Sequence, residues 1–79
     1  MRRQTVAIAF GRVLREARRE RGITQEELAS RGDFDRTYPS LLERGLRTPT
    51  LTVLFQLAQV LELSPSALID KVVAELHKH

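Results

Sequence analysis

The chain has no cysteine and no tryptophan, and aromatic residues make up only 5% of its 79 positions, so its core must be largely aliphatic. Without cysteine, neither a disulfide nor a thiolate metal site can supplement that core, and nothing points to an oxidising compartment. The two histidines, His77 and His79, lie at the C-terminal end, where an ordered catalytic or metal site is not expected. We therefore expect a protein that is not an enzyme and that uses no metal or other cofactor.

Long apolar runs are also absent from the sequence. No stretch approaches the roughly 18 apolar residues of a membrane span, and the opening segment MRRQTVAIAF is too short and too soon charged for a signal peptide. A chain of this length forms one small domain, here spanning residues 1–79, which buries roughly 60% of its unfolded surface. We expect a cytoplasmic protein with no membrane partner and no small-molecule ligand.

Positive charge is concentrated in the first part of the chain. Thirteen lysines and arginines outnumber ten acidic residues, which gives a net charge of +3. Up to Arg47 there are eleven arginines and seven acidic residues, whereas the remainder holds two basic and three acidic residues. Clustered arginine favours a polyanionic partner. The alternative is a solvated helix face, because arginines and glutamates are interleaved from Arg15 to Arg21.

The spacing of the apolar residues and the helix-capping signals predict five helices and no strands. Helix one ends at Gly22 and carries an apolar stripe at helical spacing: Val6, Phe10, Val13, Leu14 and Ala17. Helix two runs from about residue 25 to residue 31, after a capping box of Thr24 and Glu27. Helix three is expected to begin after Asp35 as its N-cap and to end near Arg44, with Gly45 as its stop.

Two further helices complete the predicted fold. Thr50 is the expected N-cap of helix four, whose predicted core stripe contains Leu51, Leu54, Phe55, Ala58 and Leu61. The segment 64-SPS-66 opens helix five, at about residues 65–77, with a serine cap and a proline at the first helical position. The short connections between these segments favour an all-α class, a compact five-helix bundle.

Helices two and three, joined at Gly32 and Asp33, form a helix-turn-helix over about residues 24–45. In this arrangement the first helix lies across the phosphate backbone and the start of the second enters the major groove, so base-reading side chains should face outward there. The outward set contains an arginine for guanine, hydroxyls for polar base edges and a leucine for the thymine methyl group: Arg36, Thr37, Ser40 and Leu41. The inward set is Phe34, Pro39 and Leu42. The alternative for the outward set is ordinary surface polarity.

Four motifs in order, 24-TQEELA-29, 35-DRTY-38, 43-ERG-45 and 47-RTPTL-51, resemble the Xre or Cro/CI-type helix-turn-helix regulators. The resemblance covers about residues 10–69 and implies the lambda-repressor-like fold. Within that family, the short length, the DRTY motif and the extended fifth helix look most like those of the controller proteins of restriction-modification systems.

The resemblance also implies residue roles. Gln25 matches a phosphate-binding glutamine, and the four outward residues match base-reading positions. Arg18 and Glu43 match an arginine and a glutamate that pair between helices one and three. Contacts to or near the DNA backbone are implied for Tyr38, Arg44 and Arg47.

Two residues depart from the family pattern, since Asp33 replaces the usual turn glycine and Pro39 replaces an isoleucine or valine. With Asp35 as N-cap, Pro39 removes one hydrogen bond of the helix and pushes Tyr38 away from helical angles. Either the first turn of helix three is distorted, or the helix begins later with Thr37 as its cap.

The partners expected from the sequence are double-stranded DNA and a second copy of the chain. The predicted dimer interface combines apolar residues opposite the core stripe of helix four with a wide apolar face of helix five: Val53, Val60, Leu68, Ile69, Val72, Val73 and Leu76. The alternative is that helix five only covers its own core.

The function favoured is a transcriptional regulator, a repressor or an activator, acting as a dimer on a pseudo-palindromic operator. The rival is a DNA-binding antitoxin whose main partner is a toxin protein, although the chain lacks the long disordered tail that often wraps a toxin.

Overall fold

The chain folds into five α-helices, which a computed structural model describes for residues 2–78, apart from the side chains of residues 3 and 4. The helices are α1 (Arg3–Glu20), α2 (Gln25–Gly32), α3 (Tyr38–Glu43), α4 (Leu51–Leu61) and α5 (Pro65–Leu76). Helix α1 packs against α3 and α5, and α4 closes the bundle against α2 and α5. The predicted all-α bundle is confirmed, and residues 2–78 contain no strand.

Side-chain caps fix where three of the helices begin. The Thr24 hydroxyl accepts a hydrogen bond from the Glu27 N–H at 3.0 Å, and the Glu27 carboxylate accepts one from the Thr24 N–H at 2.9 Å. The hydroxyls of Thr50 and Ser64 accept in the same way from the third residue of α4 and of α5, each at 3.1 Å. These bonds satisfy amides that have no partner inside the helix. The three caps predicted from the sequence are therefore confirmed.

The core is formed by large aliphatic side chains from every helix. The fully buried leucines are Leu14, Leu28, Leu42, Leu57, Leu61 and Leu68, and Phe10 is buried beside them. Each such side chain contributes about 1.5–3 kcal/mol by leaving water. The core thus joins α1, α2 and α3 to the last two helices.

The structure corrects the stripe predicted for α4. Leu51 and Phe55 are more than half exposed, whereas Leu57 is fully buried. The face of α4 that packs inward is centred on Leu54, Leu57 and Leu61, because this face meets both α2 and α5. The prediction was wrong for Leu51 and Phe55 and is confirmed for Leu54, Ala58 and Leu61. Apolar residues on α4 occupy more than one face, so periodicity alone did not select the buried one.

The predicted wide apolar face of α5 is also divided by the structure. Leu68 and Val72 belong to the core of their own chain and have almost no surface for a partner. Leu76 packs partly against that core, and only Ile69 and Val73 are exposed. The prediction was wrong for Leu68 and Val72 because α5 lies along α1, which covers this side of it.

On α4, Val53 and Val60 are half-buried against the core and do not stand on a free opposite face.

Within residues 2–78, no single helix is long and apolar enough to cross a membrane. Helices α4 and α5 meet that length and composition only as a pair, and they are bent by 101° relative to each other.

Helix α1 approaches the end of α3 at a glycine. A Cβ atom on Gly11 would lie 2.6 Å from the carbonyl oxygens of both Leu42 and Glu43. These are backbone atoms of a neighbouring helix, so a side-chain rotation cannot relieve the overlap. The distance between α1 and α3 is therefore set by backbone contact.

Gly11→Ala should lower the free energy of unfolding by about 1–3 kcal/mol, because the added methyl group forces the two helices apart. A loss of stability is the opposite of the usual effect, since alanine at an unconstrained helical position stabilises by up to about 1 kcal/mol relative to glycine. Urea denaturation of the two proteins measures the difference. An increase in stability would show that α1 and α3 do not approach this closely.

Candidate nucleic-acid interface

Helices α2 and α3 are joined by a turn whose backbone is stabilised by local hydrogen bonds. Asp33 caps α2 with a left-handed backbone (φ 59°), and the Phe34 N–H donates to the Ala29 carbonyl at 2.8 Å. The Phe34 ring lies directly over Gly32, where a Cβ atom would come within 2.3 Å of it. Aspartate at position 33 thus takes the conformation for which glycine is usual.

Helix α3 begins later than expected from the prediction that Asp35 is its N-cap. The Asp35 carboxylate accepts from the Thr37 N–H at 2.9 Å and from the Thr37 hydroxyl at 2.7 Å, so it stabilises the turn before the helix. Both bonds lower the pKa of Asp35, and the bond from the Thr37 hydroxyl has the larger effect. Thr37 is the N-cap residue and makes no side-chain capping bond. The prediction of Asp35 as N-cap was wrong, and the alternative with Thr37 at the cap is confirmed.

This late start explains why Pro39 is tolerated. Pro39 is the second residue of α3 and is buried. The first amides of a helix have no intrahelical partner, so the missing N–H of Pro39 removes no bond of the helix. Tyr38 still donates to the Asp35 carbonyl at 3.0 Å, and Leu41 donates to the Thr37 carbonyl at 3.2 Å.

The four predicted base-reading residues lie together around the beginning of α3. Arg36 stands in the turn with its side chain 81% exposed, and its guanidinium is 3.9 Å from the Glu26 carboxylate. Thr37 is exposed, while Ser40 and Leu41 are half-buried on the first turn of the helix. Pro39 and Leu42 are buried on the opposite side, and Phe34 packs partly against the core. The division into inward and outward sets is therefore observed.

Three of the four predicted backbone contacts belong to α3 or follow it: Tyr38 is its first residue, Arg44 comes directly after it and Arg47 lies in the next loop. The Tyr38 ring packs at a tilt of 51° against Phe34, with 5.7 Å between the ring centroids. Burial raises the pKa of Tyr38, and the nearby positive charge of Arg47 opposes this shift in part. Arg44 is the exposed C-cap residue, and the Arg47 guanidinium donates to the Leu46 carbonyl at 3.2 Å. Two arginines and a phenol thus lie near the four predicted base-reading residues.

A buried carboxylate joins the helix pair to α1. The Glu43 side chain is 0% exposed and forms a bidentate pair with Arg18, whose side chain is 11% exposed. Arg18 Nε lies 2.6 Å from Oε2, and Arg18 Nη2 lies 3.0 Å from Oε1. The remaining Nη1 of Arg18 donates to the Ile23 carbonyl at 2.9 Å, which ties the same side chain to the loop before α2.

Two further side chains donate to Glu43. Gln25 Nε2 lies 3.1 Å from Oε1, and Arg15 Nε lies 3.3 Å from the same oxygen. The Gln25 amide, which the resemblance assigned to a phosphate, thus contacts Glu43 in the free protein. The sequence reasoning missed Arg15, although its position three residues before Arg18 places both on one face of α1. We call these four residues the Glu43 cluster: Arg15, Arg18, Gln25 and Glu43.

Opposing effects determine the charge of Glu43. Burial raises the pKa of this carboxyl group, but hydrogen bonds from Arg18, Gln25 and Arg15 and the positive charge of Arg18 together lower it below its usual value. Hydrogen bonding to Glu43 likewise raises the pKa of Arg18 against the effect of burial. Glu43 is therefore ionised in the folded protein at neutral pH.

Metal-binding side chains do not gather in the part of the chain that the structure describes, where no three of them come close enough to hold an ion. His77 is exposed just after α5. His79 lies outside the described residues.

Comparison with known proteins identifies the class. A family model described as Helix-turn-helix matches residues 14–68. The chain belongs to this family of transcriptional regulators. It is 45% identical over 67 residues to the HTH-type transcriptional regulator y4dJ of Sinorhizobium fredii. The aligned region covers 85% of this chain and 82% of that protein. It is 34% identical over 71 residues to the control protein C.MunI of a Mycoplasma species. That aligned region covers 89% of this chain and 96% of that protein.

A solved structure of a relative has a similar fold. The restriction-modification controller protein C.Esp1396I, crystallised as a tetramer in complex with its natural 35 base-pair operator, matches with a TM-score of 0.81 and 32% identity. The match covers 90% of this chain and 93% of that one. The resemblance to Cro/CI-type regulators and to restriction-modification controller proteins is thereby confirmed.

Glu43→Gln should lower the free energy of unfolding by about 3–5 kcal/mol at pH 7, because a neutral amide leaves the nearly buried Arg18 without its counter-charge. The loss should shrink in acid. A carboxyl group with a lowered folded-state pKa stabilises fully above its unfolded value, 4.5 here, and ceases to do so as the pH falls through the folded value. Urea denaturation at neutral and acidic pH measures both effects.

Glu62→Gln is the matched control. Glu62 pairs with Arg21, but their side chains are 66% and 40% exposed, so its loss should stay below about 1 kcal/mol. If Glu43→Gln cost no more than this control, Glu43 would be solvated and the cluster would not hold the helices together.

Proposed function

We propose that the chain binds specific double-stranded DNA sequences as a homodimer on a pseudo-palindromic operator, and that it regulates a restriction-modification operon in the cytoplasm. The observation that carries this proposal is the group of four reading residues at the start of α3, on a helix pair fixed to α1 through Glu43. Support also comes from the relatives, since C.MunI is a control protein and C.Esp1396I was solved on its operator.

The side chains around the start of α3 differ in what they can read. The guanidinium of Arg36 presents parallel donors that match the two acceptors of guanine in the major groove. The hydroxyl proton of Thr37 is already donated to Asp35, so its oxygen can act only as an acceptor. It therefore suits the amino group of cytosine or adenine. Leu41 offers an apolar surface to a thymine methyl group.

Three of the phosphate contacts are assigned to residues within this group or beyond the end of α3. Tyr38 begins α3, and Arg44 and Arg47 follow its end, where the walls of a groove would run. Arginine predominates in this half of the chain, so affinity should fall steeply as the salt concentration rises and counterions compete for the phosphates.

The dimer interface that we propose contains the exposed apolar residues of α5, Ile69 and Val73. Leu76 and the two half-buried valines of α4 contribute at its edge. A symmetric dimer places two copies of α3 on half-sites about one helical turn of DNA, roughly 10 base pairs, or a multiple of it, apart. This spacing explains why a pseudo-palindromic operator is the expected target.

Selection of bound duplexes from a random DNA pool tests the function directly. We expect a two-fold symmetric consensus, together with an affinity that decreases steeply with salt. Enrichment of no sequence, combined with binding that does not respond to salt, would contradict the proposal.

Ile69→Asp should convert the dimer into a monomer while leaving the fold intact, because the residue is exposed and a carboxylate there would have to be desolvated in the interface. Sedimentation equilibrium measures the mass. Lys71→Asp, an exposed charge change on the same helix, is the control and should remain dimeric. A wild-type protein that is monomeric at high micromolar concentration would rule out the dimer.

Arg36→Ala should relax the base preference at one operator position and cost about 1–3 kcal/mol of binding free energy. Arg47→Ala should weaken binding to all sequences alike and reduce the salt slope by about one. Titration of a panel of single-base operator variants separates the two effects. If both variants gave the same sequence-independent loss, Arg36 would be a phosphate contact.

A further inference from the structure

The Oε1 atom of Glu43 has more hydrogen-bond donors than lone pairs. Arg18 Nη2 lies at 3.0 Å, Gln25 Nε2 at 3.1 Å and Arg15 Nε at 3.3 Å from this one oxygen. A carboxylate oxygen offers two lone pairs, so the three donors cannot all form full hydrogen bonds at once. Arg18 is the fixed partner, since it also binds Oε2 at 2.6 Å. Arg15 and Gln25 therefore compete for the one acceptor position that is left.

The Glu43 cluster also carries excess positive charge. Two guanidinium groups face one carboxylate, and only Arg18 is nearly buried with it. The Arg15 side chain is 45% exposed and brings the second positive charge to the surface. Among the residues whose side chains the structure describes, Arg15 donates through Nε, and its two terminal nitrogens donate to none. Gln25 likewise has a second hydrogen on Nε2 beyond the one that points to Glu43.

We propose that Arg15 adds a second donor to the phosphate contact that the family resemblance already implies for Gln25, and that Glu43 is the positioning residue that places the two side chains next to each other. This inference rests on the proposed function and adds α1 to the DNA contact surface. The phosphate oxygens accept the hydrogen bonds that Oε1 cannot satisfy, and they balance the excess charge. Both donors are already held in place, so little side-chain freedom is lost on binding.

The position of the cluster fits a backbone contact. Gln25 is the first residue of α2, the helix that lies across the phosphates in a helix-turn-helix, and Glu43 is the last residue of α3. Arg15 reaches the same oxygen from α1. The alternative role for Arg15 is to neutralise Glu43 inside the protein only, which would affect folding and leave DNA binding unchanged.

The test is the salt dependence of binding to a fluorescent duplex of mixed sequence, for the full chain and for three variants. Arg15→Gln should bind several-fold more weakly, and its plot of log affinity against log salt should be shallower by about one. Arg15→Lys keeps the charge and should keep the slope. Arg21→Gln is the matched control, because Arg21 is also about half exposed and paired with a single glutamate, Glu62, and it should leave the slope unchanged.

A second arm tests whether the two donors share one phosphate. Gln25→Leu should weaken binding, and the double variant Arg15→Gln/Gln25→Leu should lose less affinity in total than the product of the two separate fold-changes. Urea denaturation of every variant shows that the binding measurements refer to folded protein.

The outcomes separate this inference from the proposed function. An unchanged slope for Arg15→Gln, with or without a loss of stability, would overturn the phosphate contact, as would equal slope changes for Arg15→Gln and Arg21→Gln. A shallower slope for Arg15→Gln alone, in a protein that enriches no sequence from a random pool, would support the contact while the proposed function failed.

Discussion

The buried carboxylate of Glu43 is the interaction on which the rest of the structure depends. Its desolvation is costly, and the bidentate Arg18 together with Gln25 and Arg15 compensates for it. These donors come from α1 and α2, whereas the carboxylate belongs to α3. One ionised group thus fixes the relative positions of three helices. The six residues of α3 are too few to form a stable helix alone, so this anchoring is a condition for any reading surface.

The same cluster links folding to the proposed recognition of DNA. Helix α3 is held at its end by Glu43 and at its start by the Asp35 turn, so the four predicted base-reading residues lie on a short segment that is fixed at both ends. Reading residues on a rigid element lose less conformational freedom when they bind. The late start of α3 places Arg36 in the turn before the helix, between Asp35 and Thr37, whose side chains are hydrogen-bonded to each other.

Much of this fold could be predicted because its signals are local. The caps at Thr24, Thr50 and Ser64 depend on residues three positions apart, so the sequence alone locates them. The choice of the buried face on α4 is not local. Leu51 and Phe55 are as apolar as Leu57, and only the positions of α2 and α5 decide which of them is covered. At the candidate site, the pairing of Arg18 with Glu43 followed from family resemblance, but the convergence of Arg15 and Gln25 on one oxygen required atomic positions.

The backbone contact between Gly11 and the end of α3 has a consequence for how such a regulator diverges. Side chains in an aliphatic core can be exchanged for others of similar volume, and helices that touch only through side chains then shift slightly. Here the carbonyl groups of α3 rest on a position without a side chain, so repacking elsewhere leaves the separation of the two helices unchanged. Over evolutionary time the core can drift while α3 keeps its orientation. Its exposed residues can then acquire new targets without a new scaffold.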